Sequence, residues 1–257
     1  MKKRKHLVVA NWKMNPISPE EAKGIIRSTK KTAKDLKRTE AVICPPAIYL
    51  HLIKPEKKVY SGVQNVFWLP SGTYTGELSS EMVRQSGATF TIVGHSDRRN
   101  LGETDEIVAK KTNAALSAGL QTIICIGEKS RDQSGDYLEF LKIQLTGSLS
   151  GVKKGFLSDL IIAYEPLWAI SKSSIAGEAM KPRDVEETVL YIKKILSEIF
   201  GKDWVGAIRI LYGGSLNGEN AGLIVGMGKV DGLLVGRESL SEKGFKELLK
   251  SVDAVPF

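Results

Sequence analysis

The sequence predicts an α/β fold, a closed (β/α)8 barrel of eight parallel strands inside an outer ring of helices. Three observations predict it. Eight short apolar runs recur along the chain and none alternates, which suits strands covered on both faces. Each run is followed by sequence with helical features, so strand and helix alternate throughout. The 257 residues carry no linker and no shift in composition, a length ordinary for one such barrel. The expectation is one domain over residues 1–257, with 1–5 as a basic tail. An open doubly wound sheet is the alternative, but the Gly-x-Gly-x-x-Gly turn expected after its first strand is missing.

The first strand is read at Leu7–Ala10, ending in Asn11-Trp12-Lys13-Met14-Asn15. Ser18 followed by Glu21 reads as a capping box for a helix to about Lys37. Ala41–Cys44 is the second strand, stopped by Pro45-Pro46, and Val59–Val63 the third. A long loop carrying Trp68 and Tyr74 leads to a short helix at Ser80–Gln85. Phe90–Val93 is the fourth strand, with a helix over Thr104–Ala118 stopped by Gly119. Thr122–Ile126 and Leu160–Tyr164 are the fifth and sixth strands, separated by a helix near Tyr137–Ser148. Pro182 suits the first turn of a helix to about Phe200. Ile208–Leu211 is the seventh strand, with a short helix at Asn217–Val225. Gly232–Val235 is the eighth, with a last helix to about Lys250.

The formal charge of +8 has three readings: nucleic-acid binding, attraction of a small anion, or a solvated lysine-rich surface. Lysines spread along the whole chain favour the last two, and no nucleic-acid partner is expected. Cys44 and Cys125 lie inside apolar runs and read as reduced core residues of a cytoplasmic protein. His6, His51 and His95 have no metal-ligand spacing. The basic start leads into an apolar run too short for a signal peptide or a membrane span.

The chemistry collects at strand ends, which face one end of such a barrel. The apolar stretch Ile161–Tyr164 ends on Glu165, and Pro166 stops the ladder. Glu165 reads as a catalytic base, and the unusually apolar segment after it as a lid; the alternative is an acid at a helix start. Asn11 and Lys13 follow the first strand and His95 the fourth. Singly these could be a turn residue, a solvated lysine and a helix cap; together they bring an amide, an ammonium, an imidazole and a carboxylate to one rim. Gly213-Gly214-Ser215 and Gly236-Arg237 follow strands seven and eight, where phosphate sites recur in this architecture.

Ala10-Asn11-Trp12-Lys13-Met14-Asn15, Gln64-Asn65, Tyr74-Thr75-Gly76-Glu77, Val93-Gly94-His95-Ser96, Cys125-Ile126-Gly127-Glu128, Ala163-Tyr164-Glu165-Pro166, Trp168-Ala169-Ile170 and Tyr212-Gly213-Gly214-Ser215 run in one order along nearly the whole chain. In this the chain resembles the triosephosphate isomerase family. The resemblance implies interconversion of dihydroxyacetone phosphate and glyceraldehyde 3-phosphate through an enediolate, without cofactor or metal, in glycolysis and gluconeogenesis. It gives Glu165 the role of base and a neutral His95 that of electrophile; these two roles are the family's and are not deduced from spacing. Lys13 would stabilise the enediolate and phosphate, and Asn11 would orient the substrate. Ser171, Ser215, Gly236 and Arg237 would hold the phosphate, with Asp97 and Tyr212 in support. Thr75 would insert into a partner subunit, which implies a homodimer; no membrane partner is implied.

The chain also departs from the family pattern. Asp97 stands where glutamate is usual, so its shorter carboxylate is expected to meet Lys13 and Arg99 differently, with a modest loss of activity. The lid reads Ser171-Lys172-Ser173-Ser174 in place of a glycine-bearing segment, with a few extra residues between Ala176 and Pro182, and altered lid dynamics are expected. Arg237 replaces a common glycine, so its side chain is expected to point away from the phosphate. Two other readings stay open: a dimeric scaffold that kept the fold and lost turnover, and a barrel enzyme acting on a different sugar phosphate.

Overall fold

The structure is a computed structural model, and it describes residues 4–54, 56–131, 134–169 and 180–257. The expectations for Ser171 and the segment 171–174 lie outside the described residues, as does most of the basic tail.

Eight parallel strands close into a barrel in sequence order: β1 (His6–Asn11), β2 (Thr39–Cys44), β3 (Val59–Val63), β4 (Phe90–Val93), β5 (Gln121–Ile126), β6 (Leu160–Tyr164), β7 (Arg209–Tyr212) and β8 (Gly232–Val235). β8 pairs back onto β1 through Leu7–Gly232 to Ala10–Val235, so no strand edge is left open. The helices are α1 (Pro19–Asp35), α2 (Ser80–Gln85), α3 (Ser96–Asn100), α4 (Asp105–Ser117), α5 (Asp136–Ser148), α6 (Pro182–Phe200), α7 (Lys202–Val205), α8 (Ala221–Met227) and α9 (Glu242–Asp253).

Two cores follow from the period of two along each strand. Leu7, Val9, Val42, Cys44, Phe90, Ile92, Ile123, Cys125, Ile161, Ala163, Leu211 and Leu234 fill the barrel interior. Their neighbours, such as Val8, Ile43, Ile124 and Ile162, face out and pack against the helices. Strands buried on both faces need no alternation, which is why the runs look uniformly apolar in sequence. α1 shows the helix side. Ser18 Oγ accepts from the Glu21 N–H at 3.2 Å, Pro19 opens the first turn, and Ala22, Ile25, Ile26, Thr29 and Ala33 form the buried stripe. Each large apolar side chain so buried contributes about 1.5–3 kcal/mol.

β1, β2, β5 and α4 differ from expectation by one or two residues at an end, and three further differences have a local cause. β7 is Arg209–Tyr212, one residue late, because the Ile208 N–H still closes the preceding turn on Val205 O at 3.2 Å. α8 starts at Ala221 and not at Asn217, because Asn217 Oδ1 first accepts from the N–H groups of Glu219 and Asn220 and builds a separate turn. The helix expected after Gly236 is two pieces, a 3-10 turn Arg237–Leu240 and then α9 capped by Ser241. α3 was not foreseen at all; its cap is the side chain of His95.

Candidate active site

The inward series on each strand runs straight into the site. On β1 the inward positions 7 and 9 continue to Asn11 and Lys13, and on β6 positions 161 and 163 continue to Glu165. On β5, β7 and β8 the next inward positions are Gly127, Gly213 and Gly236. The upper layer of the barrel is therefore three polar side chains and a set of glycines, which leaves a hollow. A Cβ on Gly213 would lie 2.8 Å from Glu165 Cγ, so the glycine is what admits the acid. His95 has the wrong parity for the interior. Gly94, at φ +65°, turns the chain and brings the imidazole inward.

The result is a cleft of about 500 Å³ at the C-terminal end of the strands. Asn11, Lys13, His95, Glu165, Ser215, Gly236 and Arg237 all line it. Asn11, His95 and Glu165 are each 4% exposed. His95 Nε2 lies 3.2 Å from Glu165 Oε1. His95 Nδ1 accepts the Asp97 N–H at 3.0 Å, which leaves the ring proton on Nε2, facing the acid and the cleft. The cap reading and the site reading of His95 are thus one arrangement: the helix end fixes the tautomer that the cleft uses.

Burial pushes the Glu165 carboxyl up, but the His95 ring, the Cys125 thiol and the Lys13 ammonium together hold it below the ordinary carboxylate range. Its Oε2 has no hydrogen-bond partner among the described residues. The acid is ionised, buried and engaged by His95 through one oxygen. Cys125, read from sequence only as a core residue, stands beside it; β5–β6 pairing puts Cys125 opposite Ala163, a register that spacing alone does not give.

Lys13 adopts φ +53°, a conformation that costs a side-chain-bearing residue about 1–3 kcal/mol. Asn11 Oδ1 accepts its N–H at 3.1 Å, and Gln64 Nε2 donates to its carbonyl at 2.8 Å and to Cys44 O at 3.0 Å. The strained turn swings the lysine stem across the cleft, where a Cβ on Gly236 would lie 3.9 Å from Lys13 Cε. The ammonium thus stands between the imidazole side and the β8 turn. Lys13 Nζ also pairs with Asp97 Oδ2 at 3.2 Å. The shorter acid therefore does reach the lysine. Arg99 turns elsewhere, to Gly94 O at 2.7 Å and Asp105 Oδ1 at 2.6 Å.

Tyr212 does not line the cleft. It is buried beneath the turn after β7, with its hydroxyl 2.1 Å from where a Gly214 Cβ would stand, and burial pushes its phenol up to about 12. Thr75 lies exposed on the loop after β3, away from this chain's own cleft. Among the described residues no group of three or more His, Cys, Asp or Glu is placed to hold a metal ion. No described helix is long and apolar enough to cross a membrane.

This arrangement pairs a buried carboxylate with a singly oriented imidazole N–H and a cation. It suits moving a proton on carbon next to a carbonyl. Comparison with known proteins points the same way. The triosephosphate isomerase family profile matches residues 6–252. The chain is 36% identical to triosephosphate isomerase of Dictyoglomus thermophilum, over 96% of this chain and 100% of that one. It is 38% identical to that of Lawsonia intracellularis, over 95% and 97%. The crystal structure of triosephosphate isomerase from Bartonella henselae superposes with a TM-score of 0.83 at 34% identity, covering 96% of this chain and 99% of that one. Sequence and overall fold agree over nearly the whole chain, and the chain belongs to the triosephosphate isomerase family.

Proposed function

We propose that this isomerase interconverts dihydroxyacetone phosphate and D-glyceraldehyde 3-phosphate with Glu165 as base, His95 as electrophile and Lys13 as the stabilising cation. Glu165 takes a proton from the carbon beside the carbonyl and returns it to the neighbouring carbon. The carbonyl oxygen takes over the His95 Nε2 donor, and His95 passes protons between the two substrate oxygens. Lys13 stabilises the enediolate where its charge develops. Asn11 orients the substrate. Ser215 and the N–H groups of Gly236 and Arg237 meet the phosphate at the 3-10 turn that starts there, with Ser171 completing the set. Asp97 steadies Lys13, and Tyr212 supports the turn after β7. Proton transfer of this kind calls for no cofactor or metal.

The observation that carries the reading is the 3.2 Å approach of His95 Nε2 to Glu165 Oε1 with Nδ1 already occupied. Such a ring donates only through Nε2. A coupled assay with glyceraldehyde 3-phosphate, run on the wild type and on Glu165→Asp, tests it. Fast turnover that collapses in the variant supports it; no turnover in the wild type leaves the scaffold reading standing, and turnover on another sugar phosphate alone leaves the third.

A homodimer belongs to the same proposal. Met14 and Ile17 are 92% and 94% exposed, and Ile48, Met82 and Leu101 are also exposed, all on segments that follow β1 to β4. Apolar side chains so exposed on neighbouring loops suit a covered face. Thr75 lies on that side, next to Tyr74, whose ring packs 4.5 Å from Phe67. Sedimentation of the wild type against Thr75→Arg reads the assembly. Two free, buried cysteines fit a cytoplasmic setting, and the reaction places the enzyme in glycolysis and gluconeogenesis.

A further inference from the structure

We infer that Arg131 is a positioning residue for this reaction, holding Glu128 as a clamp on both sides of the base. The inference rests on the reading of Glu165 as that base. Glu128 is 1% exposed, and its Oε1 accepts from Tyr164 OH at 2.8 Å and from Trp168 Nε1 at 2.9 Å. Tyr164 immediately precedes Glu165, and Trp168 comes three residues after it. One carboxylate oxygen therefore ties down the chain before and behind the catalytic acid. The Glu128 carbonyl adds a third tie, accepting the Leu167 N–H at 2.9 Å.

A buried carboxylate needs a cation to remain ionised and fixed. Among the described residues the cation that pairs with Glu128 is Arg131, whose Nε donates to the same Oε1 at 3.2 Å. Its Nη2 donates to Tyr164 OH at 3.1 Å and to Thr188 Oγ1 on α6. The guanidinium carbon lies 4.8 Å from the Tyr137 ring centre and 5.6 Å from that of Trp168. A planar fork does what a point charge does not: it meets three acceptors while stacking against two rings. Without it, Glu128 is a buried charge with no cation beside it. The acceptor that Tyr164 and Trp168 share is then no longer held in place. Burial holds the Tyr164 phenol far above its ordinary range, so the hydroxyl keeps its proton and donates it to Glu128 while accepting from Arg131.

The test is kinetics on the full chain with the indole of Trp168 as a second readout. In Arg131→Met, kcat is expected to fall about tenfold with KM changed less than about twofold, as for a misplaced reacting group. The 19F resonance of 5-fluorotryptophan at position 168 is expected to shift or broaden. Glu128→Gln combined with Arg131→Met is expected to recover about threefold or more of the loss, because the stranded charge is gone. Arg131→Lys, which keeps the charge and the fold, is expected to fall between wild type and Arg131→Met. An unchanged kcat with an unmoved resonance overturns the inference, and so does a double variant that shows only summed losses. If Arg131→Met does not fold, Arg131→Lys decides: wild-type kcat overturns, a partial loss supports. Glu165→Gln is assayed beside them. Retained turnover there overturns the assignment of the base and this inference with it; lost turnover there with unaffected Arg131 variants overturns this inference alone.

Discussion

Compare the two ends of the barrel. At the N-terminal end, charged groups are closed off. Asp253 accepts the N–H groups of Lys37 and Arg38, Asp231 accepts that of Ile210, and Lys5 pairs with Glu40. At the C-terminal end, Glu165 is more deeply buried yet has one oxygen unpartnered among the described residues, and Lys13 sits on a strained backbone. Both acids are held below the ordinary carboxylate range, and burial opposes that in both. For Asp253 backbone N–H groups win; for Glu165 an imidazole, a thiol and an ammonium do. Backbone donors are fixed and serve the fold. Side-chain donors can be exchanged for a substrate and serve the chemistry.

The sharpest way to break this comparison is Glu165→Gln. Turnover is expected to fall by about 10²–10⁴-fold while the midpoint of thermal unfolding does not drop. A parallel loss of stability would make Glu165 a structural acid like Asp253. Lys13→Ala comes next, with an expected loss of about 10²–10³ in kcat and an unfolding midpoint held or raised, since the replacement removes a charge contact made in the transition state. Asp253→Ala is the converse. It is expected to cost about 2 kcal/mol of stability, for the charged hydrogen bonds at the α1–β2 turn, and to leave kcat alone. The pH dependence follows from the sign of the shift. A carboxyl depressed in the folded state contributes stability above its unfolded pKa, and that contribution is lost as pH falls through the folded value. Wild-type stability is therefore expected to fall with acid below the ordinary carboxylate range, and Asp253→Asn to flatten that fall. The smallest effect is Asp97→Glu. Asp97 already pairs with Lys13 and is largely exposed, so kcat/KM is expected to change less than about fivefold, equivalent to about 1 kcal/mol.

The barrel was legible because strands buried on both faces write themselves as plain apolar runs, and because turn residues mark most ends. β3, β4, β6 and β8 fall where the residues place them. At two helix starts a side chain rather than the backbone sets the boundary. Asn217 builds its own turn before α8, and His95 caps α3 with a ring nitrogen, a role outside the usual Ser, Thr, Asp and Asn signals. Asn11, Lys13 and Glu165 were legible as inward positions continuing a strand. His95 is inward only because Gly94 breaks parity, and Lys13 crosses the cleft only because its φ is positive; spacing shows neither. Arg131 carried no signal in sequence, since its meaning depends on Tyr164 and Thr188, which lie on β6 and α6.

Carbon-bound proton transfer by Glu165 is the claim most open to direct test. Wild-type enzyme converting glyceraldehyde 3-phosphate in D2O, followed by proton NMR, is expected to place deuterium on the carbon that receives the proton, with Glu165→Gln silent on the same timescale. Deuterium appearing at an undiminished rate in Glu165→Gln, or product formed by the wild type with no route through that residue, would contradict it.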